Sequence, residues 1–182
     1  VDSVPACAGQ RAAWPYLRPL HLEIGSGNGE NALALAAARP DVEVLAAEVH
    51  PPGVGHMLLE CERRGLRNLR VHDGDVIELL AAMPACALDA VYIYFPDPWP
   101  KKRHHKRRLV QRPLLELLAT RCQAHARVYF ASDDADYALA VRELVAQTPC
   151  WLNLAGPAAW APRPRQRIVT RFEQRARRAG RA

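Results

Sequence analysis

The chain has 182 residues, of which 49% are hydrophobic, with a formal net charge of +6 and a mean hydropathy of −0.20. This length and composition are typical of a globular domain with a buried core. No apolar run reaches the roughly 18 residues of a membrane-spanning helix, and the first 20 residues lack the pattern of a secretory signal peptide. We therefore expect a single cytoplasmic domain over residues 1–182, with a short lead at 1–19.

Short apolar or β-branched runs alternate with helical patterns along the chain. The predicted strands are Leu20–Ile24, Val42–Val49, Leu69–His72, Leu88–Phe95 and Arg127–Ala131. The predicted helices are Glu30–Ala38, Val54–Arg64, Val76–Ala82, Leu114–Cys122 and Tyr137–Gln147. This alternation predicts an α/β fold with a doubly wound, mostly parallel sheet. Near the C-terminus, Cys150–Leu154 and Ile168–Phe172 are predicted to form a closing antiparallel pair.

The cysteine and histidine spacings argue against a metal site. The five cysteines are odd in number and include no CxxC pair, and the only adjacent histidines are His104 and His105. We therefore expect no bound metal, no disulfide framework and reduced thiols.

Positive charge is concentrated in two segments. Residues 101–112 hold seven Lys or Arg and no acid, and residues 163–182 hold eight Arg and one Glu. Each segment carries +7, so with the chain at +6 the remaining residues sum to −8. This distribution is typical of a nucleic-acid binder, and a solvated charged face is the alternative.

Acidic residues lie at or just after the ends of all five predicted strands. In open α/β sheets, ligands bind outside the carboxyl ends of the strands. A row of carboxylates along that edge is unfavourable unless a ligand or cation uses it. The residues are Glu23, Glu48, Asp75, Asp97 and Asp133.

A glycine-rich turn, Gly25-Ser-Gly27-Asn-Gly29, follows the first predicted strand. Glycines allow the backbone to turn sharply and to approach a ligand closely. An acid such as Glu48, about 20 residues onward, can hold a ribose in nicotinamide enzymes as well. The GxGxG spacing, together with Glu23 and Glu30 beside the loop, favours a cationic ligand without phosphate, such as S-adenosylmethionine. NAD remains the alternative.

The fourth predicted strand leads into a proline-rich turn, Phe95-Pro-Asp97-Pro-Trp99-Pro, and then into the basic run from Lys101. The prolines fix the direction of the backbone around Asp97. Trp99 offers a flat face to a base, and the basic run can hold phosphates. A core Trp before a solvated helix start is the alternative interpretation.

With these motifs, the sequence resembles the tRNA (guanine-N7-)-methyltransferase family over roughly residues 20–180. The matching motifs are Glu23-Ile-Gly25-x-Gly27, Glu48-Val-His50-Pro51-x-Gly53-Val-Gly55, Phe95-Pro-Asp-Pro-Trp99, Lys102-Arg-His-x-Lys-Arg-Arg108, Ala131-x-Asp133-x-x-x-Tyr137 and Thr170-x-Phe172-Glu173. The resemblance implies a Rossmann-type class I methyltransferase domain that uses S-adenosylmethionine. It also implies methyl transfer to N7 of a guanosine in the tRNA variable loop (position 46). We expect a monomer or homodimer that binds tRNA.

The resemblance also implies roles for individual residues. Those on the cofactor side are Glu23, Gly25, Gly27, Glu48, Asp75 and Asp97. Those on the substrate side are His104, Arg107, Asp133, Thr170 and Glu173. Asp97 is expected to be catalytic because it belongs between methyl donor and base. Arg107 and Arg108 are expected to bind phosphate.

The sequence departs from the family pattern in two motifs and at its start. Ile168 follows Arg167 where the family has proline, and Ser132 precedes Asp133 where the family has threonine. Only about 20 residues precede the first predicted strand. Two alternatives therefore stay open: a related methyltransferase with another RNA or a small-molecule substrate, and a non-catalytic tRNA-binding paralogue.

Overall fold

The computed structural model describes residues 18–165, 167–178 and 180, so the predicted lead at 1–19 lies almost wholly outside the described residues. The strands are β1 (Leu20–Ile24), β2 (Glu43–Glu48), β3 (Leu69–Asp73), β4 (Leu88–Tyr94) and β5 (Cys122–Ala131). The α-helices are α1 (Glu30–Ala38), α2 (Pro51–Arg64), α3 (Val76–Ala82), α4 (Arg112–Arg121), α5 (Ala135–Ala146) and α6 (Arg171–Arg178). A 3₁₀ helix, Lys102–Arg107, precedes α4.

The five strands form one sheet in the order β3-β2-β1-β4-β5, and every neighbouring pair is parallel. The chain reverses its direction of winding between β1 and β4. In such sheets the crevice for a ligand forms at this switch point, outside the carboxyl ends of the strands. The loops after β1 and β4 therefore begin on either side of the crevice, and the predicted doubly wound α/β class is confirmed.

Separate apolar cores cover the two faces of the sheet. One core packs α1 and α2 against the strands, with Leu33 and Met57 fully buried. The other packs α3, α4 and α5, with Leu80, Leu118 and Tyr137 at its centre. Both faces are thus covered, which explains why the central strands are nearly continuous apolar runs.

The helix boundaries follow local chemistry. Two prolines begin α2, and Gly65 ends it with φ 64° in the left-handed region. The side chains of Asp75 and Asp134 cap α3 and α5 by accepting hydrogen bonds from the backbone N–H groups of Ile77 and Tyr137.

The predicted C-terminal antiparallel pair is wrong. Cys150–Leu154 contains no strand, and the second predicted member ends inside α6. The backbone carbonyls of Arg167 and Ile168, which a ladder would use, instead accept hydrogen bonds from the Arg163 guanidinium. Side-chain bonding of this kind competes directly with strand pairing.

The expectation of reduced thiols is also wrong at one position. Cys86 is disulfide-bonded, whereas Cys61, Cys122 and Cys150 are free. Pairing depends on the distance between two cysteines in space, which their spacing in sequence does not give.

The described part of the chain contains neither a membrane-spanning helix nor a cluster of metal-ligating side chains. None of the helices there is long and apolar enough to cross a bilayer. The same residues include no group of three His, Cys, Asp or Glu side chains arranged to hold a metal ion.

Candidate active site

The glycine-rich loop closes the carboxyl end of β1. Gly25 and Gly27 adopt φ values of 72° and 55°, a region that side chains disfavour. A Cβ atom at either position would meet nothing within 4 Å, so the backbone there borders open space. The loop can therefore present its backbone to a ligand without an intervening side chain.

Glu48, at the end of β2, holds this loop from the next strand. One carboxylate oxygen accepts a hydrogen bond from the Gly27 amide at 2.6 Å. The other accepts from the amides of Val49 and His50, both at 2.8 Å. The Gly74 amide in turn donates to the Glu48 carbonyl at 3.3 Å, which ties in the loop that carries Asp75. These hydrogen bonds thus join the loops that follow the first three strands.

Glu23 is buried at this edge with only part of its hydrogen-bonding capacity used. Its side chain lies beside α1, where the Asn31 amide donates to Oε1 at 3.2 Å. Oε2 is buried and has no hydrogen-bond partner within the described part of the chain. Burial raises the pKa of the Glu23 carboxyl to about 8, and the charge of Glu48 adds to the rise. A cationic ligand group at Oε2 would reverse this effect.

Asp97 projects from a strained turn. Phe95 and Trp99, on either side of it, have φ values of 54° and 47°, which are rare for bulky side chains. The Phe95 amide donates to the Ala131 carbonyl at 2.8 Å, so the turn is fixed to the end of β5. Asp97 itself is exposed, and the described residues give it neither a hydrogen bond nor an ion pair. Strain of this kind persists where the surrounding structure fixes it, and it is concentrated at functional sites.

Arg108 is part of the structural support of this turn and does not face solvent, which corrects the prediction that it binds phosphate. Its side chain is buried, and its Nε donates to the Pro98 carbonyl at 2.8 Å. A second nitrogen pairs with Asp136 at 2.6 Å, and the guanidinium lies 4.7 Å from the centroid of Tyr137. Arg108 therefore fixes the Asp97 turn to α5.

Replacing Arg108 by alanine is expected to lower the free energy of unfolding by about 2 kcal/mol, because charged hydrogen bonds of a buried side chain are lost. In a chain of this length, that loss corresponds to a melting temperature lower by about 4–8 °C. Thermal unfolding followed by circular dichroism measures the change. Arg107→Ala is the matched control because Arg107 is exposed; equal melting temperatures for the two variants would contradict the supporting role of Arg108.

The 3₁₀ helix places two predicted substrate residues around Trp99. The Arg107 guanidinium lies 4.9 Å from the centroid of the indole, and the His104 ring meets the indole edge-on at 5.9 Å. The exposed Lys101, Lys102 and Arg107 give this helix a strongly positive surface. Because Arg107 covers one face of Trp99, a stacked base would have to use the other face or displace Arg107.

The residues from Arg167 into the first turn of α6 pack across the end of β4. Phe172 contacts Phe95 with ring centroids 5.3 Å apart, and the Arg167 guanidinium lies 5.0 Å from the rings of both Tyr94 and Phe95. The Arg171 amide donates to the Glu30 carboxylate at 2.7 Å. The C-terminal segment is therefore anchored to the loops after both β1 and β4.

Thr170 and Glu173 lie in this segment with distinct surroundings. The Glu173 carboxylate is buried between Arg163 and Arg167, and its Oε2 lies 2.9 Å from Nη2 of Arg167. Although burial acts to raise the pKa of Glu173, the hydrogen bond from Arg163 and the charges of Arg167 and Arg163 hold it below its usual value. The Thr170 hydroxyl accepts from the Glu173 amide at 3.2 Å. Thr170 is half-buried at the start of α6, and Glu173 anchors that helix.

Asp133 follows β5 and is half-buried. Since Tyr94 pairs with Ala131 in the sheet, Asp97 and Asp133 come after the ends of neighbouring strands. The predicted site residues are thus distributed along one edge, from β3 to β5. Sequence reasoning missed Arg163, Arg167 and Tyr94, whose roles depend on how the C-terminal segment packs over the sheet.

The chain matches known proteins along most of its length. The model of a family described as "Putative methyltransferase" matches residues 17–182. The tRNA (guanine-N(7)-)-methyltransferase of Chromohalobacter salexigens is 41% identical over 98% of this chain and 72% of its own. That of Thiobacillus denitrificans is 47% identical, with 93% and 74% covered. The Streptomyces coelicolor protein of the same name is 48% identical over 86% of this chain, which spans only 58% of that relative.

Solved structures support the fold. A precorrin-6y C5,15-methyltransferase from Geobacter metallireducens superposes with a TM-score of 0.56 at 15% identity, covering 71% of this chain and 62% of its own. An S-adenosylmethionine-dependent O-methyltransferase from Thermotoga maritima gives 0.55 at 14% identity, covering 72% and 44%. These neighbours show the Rossmann-type methyltransferase fold. The family model and the relatives show that this chain belongs to the tRNA (guanine-N(7)-)-methyltransferase family.

Proposed function

We propose that residues 1–182 act as one methyltransferase domain that transfers the methyl group of S-adenosylmethionine to N7 of a variable-loop guanosine, position 46, in tRNA. The observation that carries the proposal is the placement of Asp97. It lies in a strained turn that follows β4 at the switch point and leads into the basic 3₁₀ helix, and it makes no hydrogen bond or ion pair within the described residues. A donor held on one side and an RNA held on the other would meet at this carboxylate. We also propose that the enzyme acts in the cytoplasm, where its substrate tRNA is found.

The residues around the glycine-rich loop fit this cofactor. Glu23 Oε2 and the Tyr94 hydroxyl are both buried without hydrogen-bond partners in the described structure, and both belong to strands that flank the switch point. Polar groups left in this state are satisfied when a polar ligand binds. Glu23 suits a cationic group, and a pyrophosphate would meet the charges of Glu48 and Glu30. These side chains therefore fit S-adenosylmethionine and do not fit a dinucleotide.

Each residue then has a defined task on the cofactor side. When bound, S-adenosylmethionine supplies a methyl carbon made electrophilic by a positively charged sulfur. Glu23 would hold the cationic amino group, while Gly25 and Gly27 give backbone access. Glu48 would hold the ribose, and Asp75 would lie on the adenine side.

On the substrate side, the residues have to position the base and need not remove a proton. Guanine N7 already carries a lone pair, so the main requirement is alignment, which can contribute about 7–11 kcal/mol to the lowering of the barrier. Asp97, with Asp133, would accept hydrogen bonds from N1 and N2 of guanine. The carboxylate also stabilises the positive charge that develops on the ring as N7 is methylated. Thr170 would complete the wall of the site, and Glu173, paired with Arg163 and Arg167, would hold in place the helix that follows Thr170.

His104 and Arg107 would hold the RNA backbone beside the target base. A plot of the logarithm of the tRNA association constant against the logarithm of the salt concentration has a slope set by the number of phosphate contacts. Arg107→Ala is expected to make this slope shallower by about 0.7–0.9, because one phosphate contact is lost. Filter binding over a series of salt concentrations measures this slope. Arg67→Ala is the control, because Arg67 is an exposed cation that precedes β3 at the opposite edge of the sheet. An unchanged slope for Arg107→Ala would show that this cation does not contact phosphate.

The reaction itself is tested by incubating the protein with methyl-labelled S-adenosylmethionine and unmodified tRNA transcript, followed by digestion to nucleosides. We expect the label in N7-methylguanosine. Label in another nucleoside would contradict the proposed chemistry. Cofactor binding and tRNA binding without any transfer would indicate a non-catalytic paralogue.

A further inference from the structure

A depression of about 400 Å³ lies beside the end of β5, outside the residues assigned to methyl transfer. Its walls are Ser132, Ala135, Ala138, Leu139 and Trp160. The lining carries no charged side chain, and its one hydroxyl comes from Ser132. Such a site suits a flat, neutral, partly polar group.

Trp160 is the largest element of this wall, and 57% of it is exposed. Its indole stacks on the Arg142 guanidinium, with 4.8 Å between the guanidinium carbon and the ring centroid. Arg142 also donates to the Ala158 carbonyl at 2.9 Å, and the Asn153 side chain donates to the Ala159 carbonyl at 3.0 Å. These hydrogen bonds fix the loop on the N-terminal side of Trp160. Binding a ligand to the ring would therefore cost little conformational entropy.

The depression adjoins the proposed substrate residues. Ser132 follows β5 directly and precedes Asp133, and Ala135 is the first residue of α5. A single strand whose target base reaches Asp97 and Asp133 would therefore bring a neighbouring nucleotide close to this wall. Arg142, which stacks on Trp160, provides a positive charge that can attract the phosphate backbone of this nucleotide.

We propose that this depression is a second base subsite, in which an unpaired nucleobase of the tRNA next to the target guanosine stacks on Trp160. The proposal rests on the proposed function, because it takes the ligand to be that RNA. Aromatic stacking of a base is tolerant of sequence and contributes substantially to binding of single strands. The subsite would hold the strand in place while the target base occupies the catalytic crevice.

The first test compares tRNA dissociation constants for the wild type, Trp160→Ala, Trp160→Phe and Leu152→Ala. Leu152 is the matched control, because it is an exposed apolar residue on the same loop but does not line the depression. We expect Trp160→Ala to weaken tRNA binding on the order of 10-fold. We expect Trp160→Phe to retain most of the affinity, and Leu152→Ala and all cofactor affinities to be unchanged.

The second test uses transcripts that lack the base on the 5′ or the 3′ side of the target guanosine. One of these transcripts should bind the wild type more weakly than the complete transcript does, by about the factor that Trp160→Ala causes. The same transcript should bind Trp160→Ala with no further loss of affinity. Full additivity, or Trp160→Ala binding as the wild type does, would overturn the subsite. A changed oligomeric state with unchanged tRNA affinity would show that Trp160 contacts protein, which also overturns it. If the wild type binds no tRNA at all, the proposed function itself fails.

Discussion

Replacing Asp97 by alanine is expected to lower the turnover number for methyl transfer by about 100-fold, because the carboxylate that orients guanine and stabilises its developing charge is lost. The fold should be unaffected, since Asp97 is exposed and makes no hydrogen bond or ion pair in the described structure. Single-turnover kinetics with saturating cofactor and tRNA measures the effect on the chemical step.

The control for this variant is Asp41→Ala. Asp41 is also exposed but precedes β2, at the opposite edge of the sheet from the crevice. Its replacement should leave turnover unchanged. If Asp97→Ala turned over at nearly the wild-type rate, Asp97 would have no part in the mechanism.

Replacing Glu23 by glutamine is expected to have opposite effects on cofactor binding and on stability. A neutral amide cannot pair with a cationic ligand group, so the affinity for S-adenosylmethionine should fall on the order of 100-fold, as for a lost buried charge pair. The cofactor-free variant should nevertheless be the more stable protein at pH 8, because it does not carry a buried carboxylate with one oxygen unsatisfied.

The sign of the pH effect follows from the raised pKa of Glu23, from 4.5 to about 8. Between these values the unfolded chain loses the proton while the folded protein keeps it. The free energy of unfolding therefore decreases as the pH rises through this range, by at most about 1.4 kcal/mol per pH unit. Below about pH 4.5 the carboxyl is protonated in both states, so the difference in unfolding free energy between the wild type and Glu23→Gln should no longer change with pH.

Urea unfolding of the cofactor-free protein at several pH values from 4 to 9 measures this difference. Glu78→Gln is the control, since Glu78 is an exposed acid on α3. A constant difference in unfolding free energy between Glu23→Gln and the wild type over this range would contradict the buried, neutral state of Glu23.

Much of the fold could be predicted because local patterns and global topology agree. The bounds of β1, α1 and α3 were identical in prediction and structure, and the remaining sheet strands were found with shifted ends. These elements are apolar runs or amphipathic helices bounded by Gly, Pro or a capping Asp, for which local preference and tertiary packing favour the same structure. The glycine-rich loop and the row of acids at the strand ends followed from the same pattern.

The predictions failed where long-range side-chain contacts decide the structure. Ile168–Phe172 has the composition of a strand, but Arg163 binds its carbonyls and Glu173 anchors a helix there. Arg108 is one of several basic residues in its run, and only the packing against Pro98 and Tyr137 distinguishes it from the exposed Arg107. The left-handed backbone of Phe95 and Trp99 likewise has no signal in residue type, since bulky residues disfavour it.

Locating the methyl group in the product tests whether N7 of guanosine 46 is the target. Two tRNA transcripts are methylated with labelled S-adenosylmethionine, one with its variable-loop guanosine at position 46 and one with that base replaced by adenosine. N7-methylguanosine is then mapped by chemical cleavage of the chain at the modified base. We expect one labelled methyl group per tRNA, cleavage at the variable-loop position, and no incorporation in the replaced transcript. Equal incorporation into both transcripts would contradict the assigned target, and none in either would contradict the assigned reaction.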